Sequence, residues 1–267
     1  MKKSILLISI SMLSFLAIAQ EESSGTSAAD ELAKKLQNPV ASLISVPFQN
    51  NFDFGIGPSN GSRYTLNFQP VIPMSISEDW NLIARVIVPV ISQNNVFGES
   101  GSQSGLSDIV LSGFFSPKEP TSGGLIWGVG PAILVPTATN NLLGTQKFGL
   151  GPTAVALKQS GMTSFGVLIN HIWSVAGNAD RANVNSTFFE PFIAQNFPGG
   201  KAISLNTELT QNWEAGLASG SVNLVGSKVL MFGKQATQLA IGPRLHYGKG
   251  NTASWGIRAA FVLLFPK

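Results

Sequence analysis

The chain has no cysteine in its 267 residues. That excludes a disulfide, a thiolate metal site and a lipid-modified N-terminal cysteine. Histidine is almost as scarce, with only His171 and His246. They fall on separate predicted strands, so no metal centre is expected. Charge is also sparse: Asp, Glu, Lys and Arg make up 12% of the residues, against about 25% in ordinary soluble domains. Mean hydropathy is +0.22. Yet no stretch after residue 20 supplies the roughly 20 apolar residues of a spanning helix. Nor is there a basic run. Lys2 and Lys3 account for most of the excess positive charge, since without them 17 basic residues fall to 15 against 14 acidic ones. Nothing here points to nucleic acid.

The N-terminus reads "MKKSILLISISMLSFLAIAQ". Two lysines precede an apolar core, and Ala17-Ile18-Ala19 has the small-residue spacing of a cleavage site. Residues 1–19 therefore read as a secretory signal peptide cut after Ala19. Residues 20–40 are a polar leader with one short helical signal. Ser27 and Asp30 have capping-box spacing, Leu32 and Leu36 lie four apart, and Pro39 stops the helix. About three turns are marginal alone.

From residue 41 to 267 the period is two. About twelve strand-like segments succeed one another: 41–55, 63–76, 80–92, 105–116, 125–136, 147–158, 163–176, 184–197, 201–213, 221–232, 236–247 and 253–266. Each reaches the roughly 9–11 residues of a tilted transmembrane strand, where soluble strands centre on about 5–6. Short connections such as "SEDW", "QSGM", "FPGG" and "FGKQ" alternate with longer ones such as "NNVFGESGSQSG" and "GNADRANVN". The pattern predicts an all-β fold, a transmembrane up-and-down antiparallel β-barrel of about twelve strands with a short N-terminal helical segment. A closed barrel is the one β structure that satisfies its backbone in lipid. Its short turns belong on the periplasmic side and its longer loops outside. Residues 20–40 are then either a loose leader or an element docked at the barrel's periplasmic mouth.

Parity assigns the faces. An Arg facing lipid at mid-membrane costs about 2–4 kcal/mol, so Arg85 and Arg258 turn inward while Leu82, Val86, Ile257 and Phe261 turn out. The same rule puts Asp53, Asp108, Glu190, Glu208, Lys228, Arg244 and His246 in the lumen. Balanced charges of this kind either fill a narrow barrel with salt bridges or form a constriction that selects solutes. Phe52, Tyr64, Trp80, Trp127, Trp173, Trp213, Tyr247 and Trp255 fall near strand ends, as girdles do. The segments 147–158 and 163–176 are apolar on both parities, and their faces stay open.

Prolines interrupt this pattern. Pro70, Pro73 and Pro89 stand within two neighbouring strands, where each removes a ladder donor. They are either bulges that curve the wall or a weak lateral seam for an apolar solute. Pro131, Pro136, Pro152, Pro191 and Pro243 suggest interruptions elsewhere.

The stretches "NPVASLISVPFQNNFDFGIGP", "NFQPVIPMSISEDWNLIARVIVPVI", "GLSDIVLSGFFSP", "WGVGPAILVPTAT", "KFGLGPTAVAL" and "WGIRAAFVLLFPK" resemble bacterial outer-membrane transporters of the MetA-pathway phenol-degradation barrel-like family. The resemblance runs from about residue 31 to the C-terminus. It implies a barrel passing small, often aromatic or apolar, molecules. It brings no motif with assigned binding residues.

The sequence offers no nucleophile–base arrangement of the kind a membrane lipid hydrolase needs. His171, in "INHIWS", reads as part of the girdle beside Trp173. The "GIGPSNG" and "GLGP" loops have no following helix, so neither is a phosphate loop. The expected function is passive passage of a small solute across the outer membrane, with no catalysis and no cofactor. The expected partners are that solute, outer-membrane lipid and lipopolysaccharide. A structural or adhesive barrel with a filled lumen and a membrane-embedded lipid hydrolase are the alternatives.

Overall fold

The structure is a computed structural model that describes residues 28–98, 101–249 and 253–266. The signal peptide read at 1–19 and the leader up to residue 27 lie outside the described residues. A helix, α1 (Ala28–Leu36), precedes fourteen strand segments. These are β1 (Ile44–Ile56), β2 (Gly61–Phe68), β3 (Val71–Ser75), β4 (Trp80–Asn94), β5 (Ser102–Leu106), β6 (Ile109–Pro117) and β7 (Leu125–Val135). Then come β8 (Lys147–Ser160), β9 (Thr163–Gly177), β10 (Asn185–Phe197), β11 (Lys201–Asn212), β12 (Leu217–Phe232), β13 (Gln235–Gly248) and β14 (Trp255–Phe265). β2 with β3, and β5 with β6, are single staves broken once. The wall thus has twelve staves, each antiparallel to the next, as the alternation requires. β1 pairs with β14 from Ile44↔Phe265 to Phe54↔Trp255 and closes the barrel. No edge is left in the wall.

Alternation sorts the side chains. Ile203, Leu205, Ile241, Leu245 and Phe261 are exposed on the outer face. Arg244, Arg258, Asn51 and Asn223 are buried inside. Trp80 and Trp127 meet edge to face at 5.8 Å near the turn end. Phe52 with Tyr64, and Phe54 with Trp255, stack near the loop end. The outer surface is an apolar band between two aromatic rims, the surface a bilayer solvates.

The prolines mark gaps in the ladders. Pairing skips from Ser112↔Ala132 to Phe115↔Val129 around Pro131, and from Leu150↔Trp173 to Thr153↔Asn170 around Pro152. It skips likewise from Phe189↔Leu209 to Phe192↔Asn206 at Pro191, and from Asn223↔Arg244 to Gly226↔Ile241 at Pro243. Pro136 instead comes after the end of β7. Three of these prolines follow a glycine. A Cβ on Gly130, Gly151 or Gly242 would fall on the carbonyl oxygen of Gly113, His171 or Leu224. Those are the carbonyls that a proline N–H would have bonded, had it existed. Glycine lets each orphaned carbonyl lean toward the inner face, beside a weak Cα–H donor and away from lipid.

The wall at Pro70 keeps its register, from Phe68↔Val88 to Val71↔Arg85, and Val86 N donates to Pro70 O at 3.1 Å. One donor is missing there, and the strands stay in step. Pro73 is buried and faces inward opposite Ile83, below the first residue of β1. Beside Pro89 the neighbouring stave carries a bulge, because Val90↔Leu106 is followed by Ile87↔Val110. Ser107 N donates to Pro89 O at 2.9 Å, and the Thr137 hydroxyl donates to Ser107 O at 2.9 Å in place of the absent proline N–H.

The N-terminal segment is docked. Asp30 and Glu31 stand in the first turn of α1 and Lys34 and Lys35 in the last, which suits the helix dipole. Leu32 and Ala33 pack with Leu43 and with Val229, Ala236, Val262 and Leu264 of β12 to β14. Asp30 Oδ1 accepts the amide of Gly200 at 2.6 Å, and Gln159 Nε2 donates to Lys34 O at 3.0 Å. Beyond the helix, Val40 packs with Ile83, Phe114, Val155, Leu157 and Leu168 on the β4 to β9 side. Residues 28–43 therefore cross the turn end of the barrel from one wall to the other. This settles the open faces: Val155, Leu157 and Leu168 point inward, onto the segment.

Outer-membrane barrels keep their short turns on the periplasmic side, so the helix end is expected there. A cysteine in place of Asn141, exposed in the loop 136–146, is expected to react with an impermeant thiol reagent on intact cells. One replacing Glu78, exposed in the turn before β4, is expected not to. The reverse labelling would turn the barrel over.

Candidate functional site

In the loop-side half of the lumen, side chains from β1, β11, β12, β13 and β14 form a charged belt. Asn51 and Asp53 project from β1 two residues apart, the spacing that puts both on one face. Asn51 Oδ1 accepts from Arg244 Nη1 at 2.5 Å and from Arg258 Nε at 2.8 Å. Arg258 Nη2 meets Glu208 Oε1 at 2.8 Å and Oε2 at 3.0 Å. Arg244 lies 3.2 Å from Asp53 through Nε and 3.6 Å from Glu208 through Nη2. Its Nε makes an ion pair without the alignment of a hydrogen bond. His246 Nε2 donates to Asp53 Oδ1 at 2.8 Å. Ser221 Oγ donates to Glu208 Oε2 at 3.3 Å. Buried charges cost much unless paired and bonded, and here each arginine has both.

Two further groups lie around this core. Glu190 on β10 accepts from Asn206 Nδ2 at 2.5 Å. Arg85 on β4 donates to Gln69 Oε1 at 3.0 Å. Arg63 donates through Nε to Gln93 Oε1 at 2.8 Å. Between the belt and the N-terminal segment is a cavity of 310 Å³. Arg85, Glu190, Asn206 and Arg258 line it, with Phe192, Leu168, Val71 and Val262 on its walls and Leu36, Pro39 and Leu43 on the plug side.

The lumen placement from parity thus brings Asp53, Arg85, Glu190, Glu208, Arg244, His246 and Arg258 toward one region. Two of the expected lumen residues are elsewhere. Asp108 sits at the bulge between β5 and β6, where its carboxylate accepts from Ala138 N at 3.2 Å and from Thr145 N and Oγ1 at 2.6 Å each. It fastens the loop 136–146 to the wall. Lys228 is a correction: it is exposed on the outer face of β12, opposite Lys201, while its neighbour Val229 is buried under α1. A lysine close to a strand end can reach the headgroups with its long stem, so its charge does not fix its face. Asn51, Ser221, Arg63 and Gln69 were missed. All four share inward parity. Asn51, Ser221 and Gln69 are neutral and carry no penalty that reveals them, while Arg63 stands close to the loop end of β2, where a long stem can reach the interface from either face.

His171 is on the outer face. Its ring lies 4.0 Å from that of Trp173, and Nδ1 is 2.7 Å from Thr187 Oγ1, which also takes the Trp213 indole N–H at 2.9 Å. Among the described residues no group of His, Asp and Glu is arranged to hold a metal ion.

No protein-family model matches the chain, and no curated protein matches it. Among solved structures it is similar to the COG4313 outer membrane channel from Pseudomonas putida F1. The two share 14% identity, with a TM-score of 0.65 over 92% of this chain and 100% of that one. That likeness establishes the fold, a closed antiparallel barrel. The β domain of the Bordetella autotransporter BrkA covers 83% of this chain at 12% identity with a TM-score of 0.44, too distant to add to it.

Proposed function

We propose that the protein is an outer-membrane channel for small solutes, apolar or aromatic ones among them, and that it works without catalysis. The observation that carries this reading is the cavity of 310 Å³, closed on one side by a segment that is not part of the wall. A barrel with a purely structural task needs no space there. The mixed lining, charged above and apolar around, suits a solute with an apolar body. The COG4313 protein is itself named a channel, and the resemblance to the phenol-degradation family favours aromatic solutes. The lumen route starts at the loop end, passes the belt and leaves past residues 28–43.

The test is uptake of phenol by liposomes containing the purified barrel, set beside single-channel conductance. Uptake above that of empty liposomes is expected. No uptake and no conductance would favour the filled-lumen reading, which rests on the density of ion pairs in the belt. In the channel reading Pro70, Pro73 and Pro89 shape the wall, because the strands around Pro70 stay in register. Pro70→Thr with Pro89→Thr is then expected to leave uptake within about twofold of the parent. A loss of uptake would instead make the proline seam the exit.

A further inference from the structure

We infer that the cavity below the belt binds a small organic anion, a hydroxylated aromatic carboxylate, through Arg85. This rests on the channel reading and names the chemistry of its solute.

Three of the four inward-facing arginines are already engaged elsewhere. Arg244 and Arg258 are committed to Asp53, Glu208 and Asn51. Arg63 lies away from the cavity lining and is bonded to Gln93. Arg85 differs from all three. A guanidinium has five N–H donors, and Arg85 gives one of them to the neutral oxygen of Gln69. Among the described residues no carboxylate lies within ion-pair distance of it, and Glu190 and Glu208 act on it only from further off. None of its nitrogens is a sealed, unbonded atom, so its free donors are reachable from the cavity it lines. A planar fork with open donors matches a carboxylate in bidentate geometry.

The walls set the rest of the molecule. Phe192, Leu168, Val71 and Val262 give the cavity an apolar surface, which favours an aromatic or aliphatic body over a sugar or a small inorganic anion. Glu190 completes the specificity. It also lines the cavity, forms no ion pair among the described residues, and has only Asn206 bonded to one of its oxygens. A second carboxylate near Glu190 would be repelled, whereas a hydroxyl would donate to it. The complementary solute therefore carries both a carboxylate and a hydroxyl. The volume of 310 Å³ accommodates a single substituted ring.

The experiment is isothermal titration of the purified full barrel with 4-hydroxybenzoate, benzoate, 4-hydroxybenzyl alcohol and benzylamine. 4-Hydroxybenzoate is expected to bind at least tenfold tighter than 4-hydroxybenzyl alcohol, and benzylamine weakest. Arg85→Gln is expected to lose tenfold or more for 4-hydroxybenzoate while leaving the alcohol unchanged. Glu190→Gln is expected to tighten benzoate, which has no hydroxyl to offer. Folding of each variant is read from heat-modifiable gel migration. If Arg85→Gln does not fold, Arg85→Lys serves, with carboxylate binding kept but weakened. Equal binding of acid and alcohol, a preference for benzylamine, or indifference to Arg85→Gln would overturn the proposal. Binding without uptake in liposomes would remove the channel reading and leave the site. Uptake of phenol without binding of the acid would do the opposite.

Discussion

Deleting residues 28–41 raises the single-channel conductance several-fold. The expectation follows from what the segment does at the turn end. Ala33 is fully buried, and Leu32, Val40 and Leu43 are nearly so, against two clusters on opposite walls. A chain stretched between those clusters lies across the path of any ion leaving the lumen. Each of the larger apolar side chains contributes about 1.5–3 kcal/mol by burial, so the segment stays seated in the resting barrel. Its removal also uncovers Val229, Val262 and Leu264 to water, and a lower thermal midpoint is expected beside the larger current. Ala33→Glu is a gentler form of the same experiment: a charge with no space to occupy should expel the helix while keeping the chain whole. Unchanged conductance in both would place the resistance in the belt, and the segment would then be a support for the wall.

Glu208→Ala and Arg258→Ala should move ion selectivity in opposite directions. Glu208 is the shared acceptor of the belt, bonded to Arg258, approached by Arg244 and held by Ser221. Without it two buried guanidinium groups face the lumen with one carboxylate fewer, and the reversal potential in a salt gradient should shift toward anions. Arg258→Ala leaves Glu208 with its more distant partner and should shift it toward cations, as should Arg244→Ala and Arg85→Ala. Breaking a buried pair by removing one member costs about 3–5 kcal/mol, so both single variants should unfold at lower temperature. The double variant removes both charges and should return toward the parent in selectivity and part of the way in stability. Selectivity that stays put in all of these would mean that ions do not pass the belt.

Most of the wall was legible because the penalty for a misplaced side chain is steep. An arginine in mid-strand can have only one face in lipid, and Arg85, Arg244 and Arg258 all point inward as parity requires. The rule weakens wherever the penalty does. Lys228 lies near the rim, where a long stem reaches the interface at little cost, and it faces out. The inner faces of β8 and β9 could not be read because they are apolar on both sides. The reason is a contact distant in sequence: Val40 needs Val155, Leu157 and Leu168 as neighbours. Asp108 was legible as a buried carboxylate but its role was not, since three of its bonds go to a loop more than 25 residues away. Arg85 was legible as a lumen charge. That no carboxylate lies within ion-pair distance of it depends on the relative heights of β4, β10 and β14, which the stagger of the closed sheet determines.

The plug and the closing seam are joined by only a few residues, and this bears on how the molecule assembles. β1 begins at Ile44, directly after Leu43 of the plug cluster, and pairs with β14 some 200 residues later in the chain. That pairing spans the largest sequence separation in the wall and has the greatest loop-closure entropy to overcome. Leu32 and Ala33 share one buried cluster with Val262 and Leu264 of β14. A helix seated on the C-terminal staves thus tethers the first strand beside the last and shortens the search that ends in closure. The same fourteen or so residues that obstruct the finished pore would serve, during biogenesis, as the template on which the cylinder shuts.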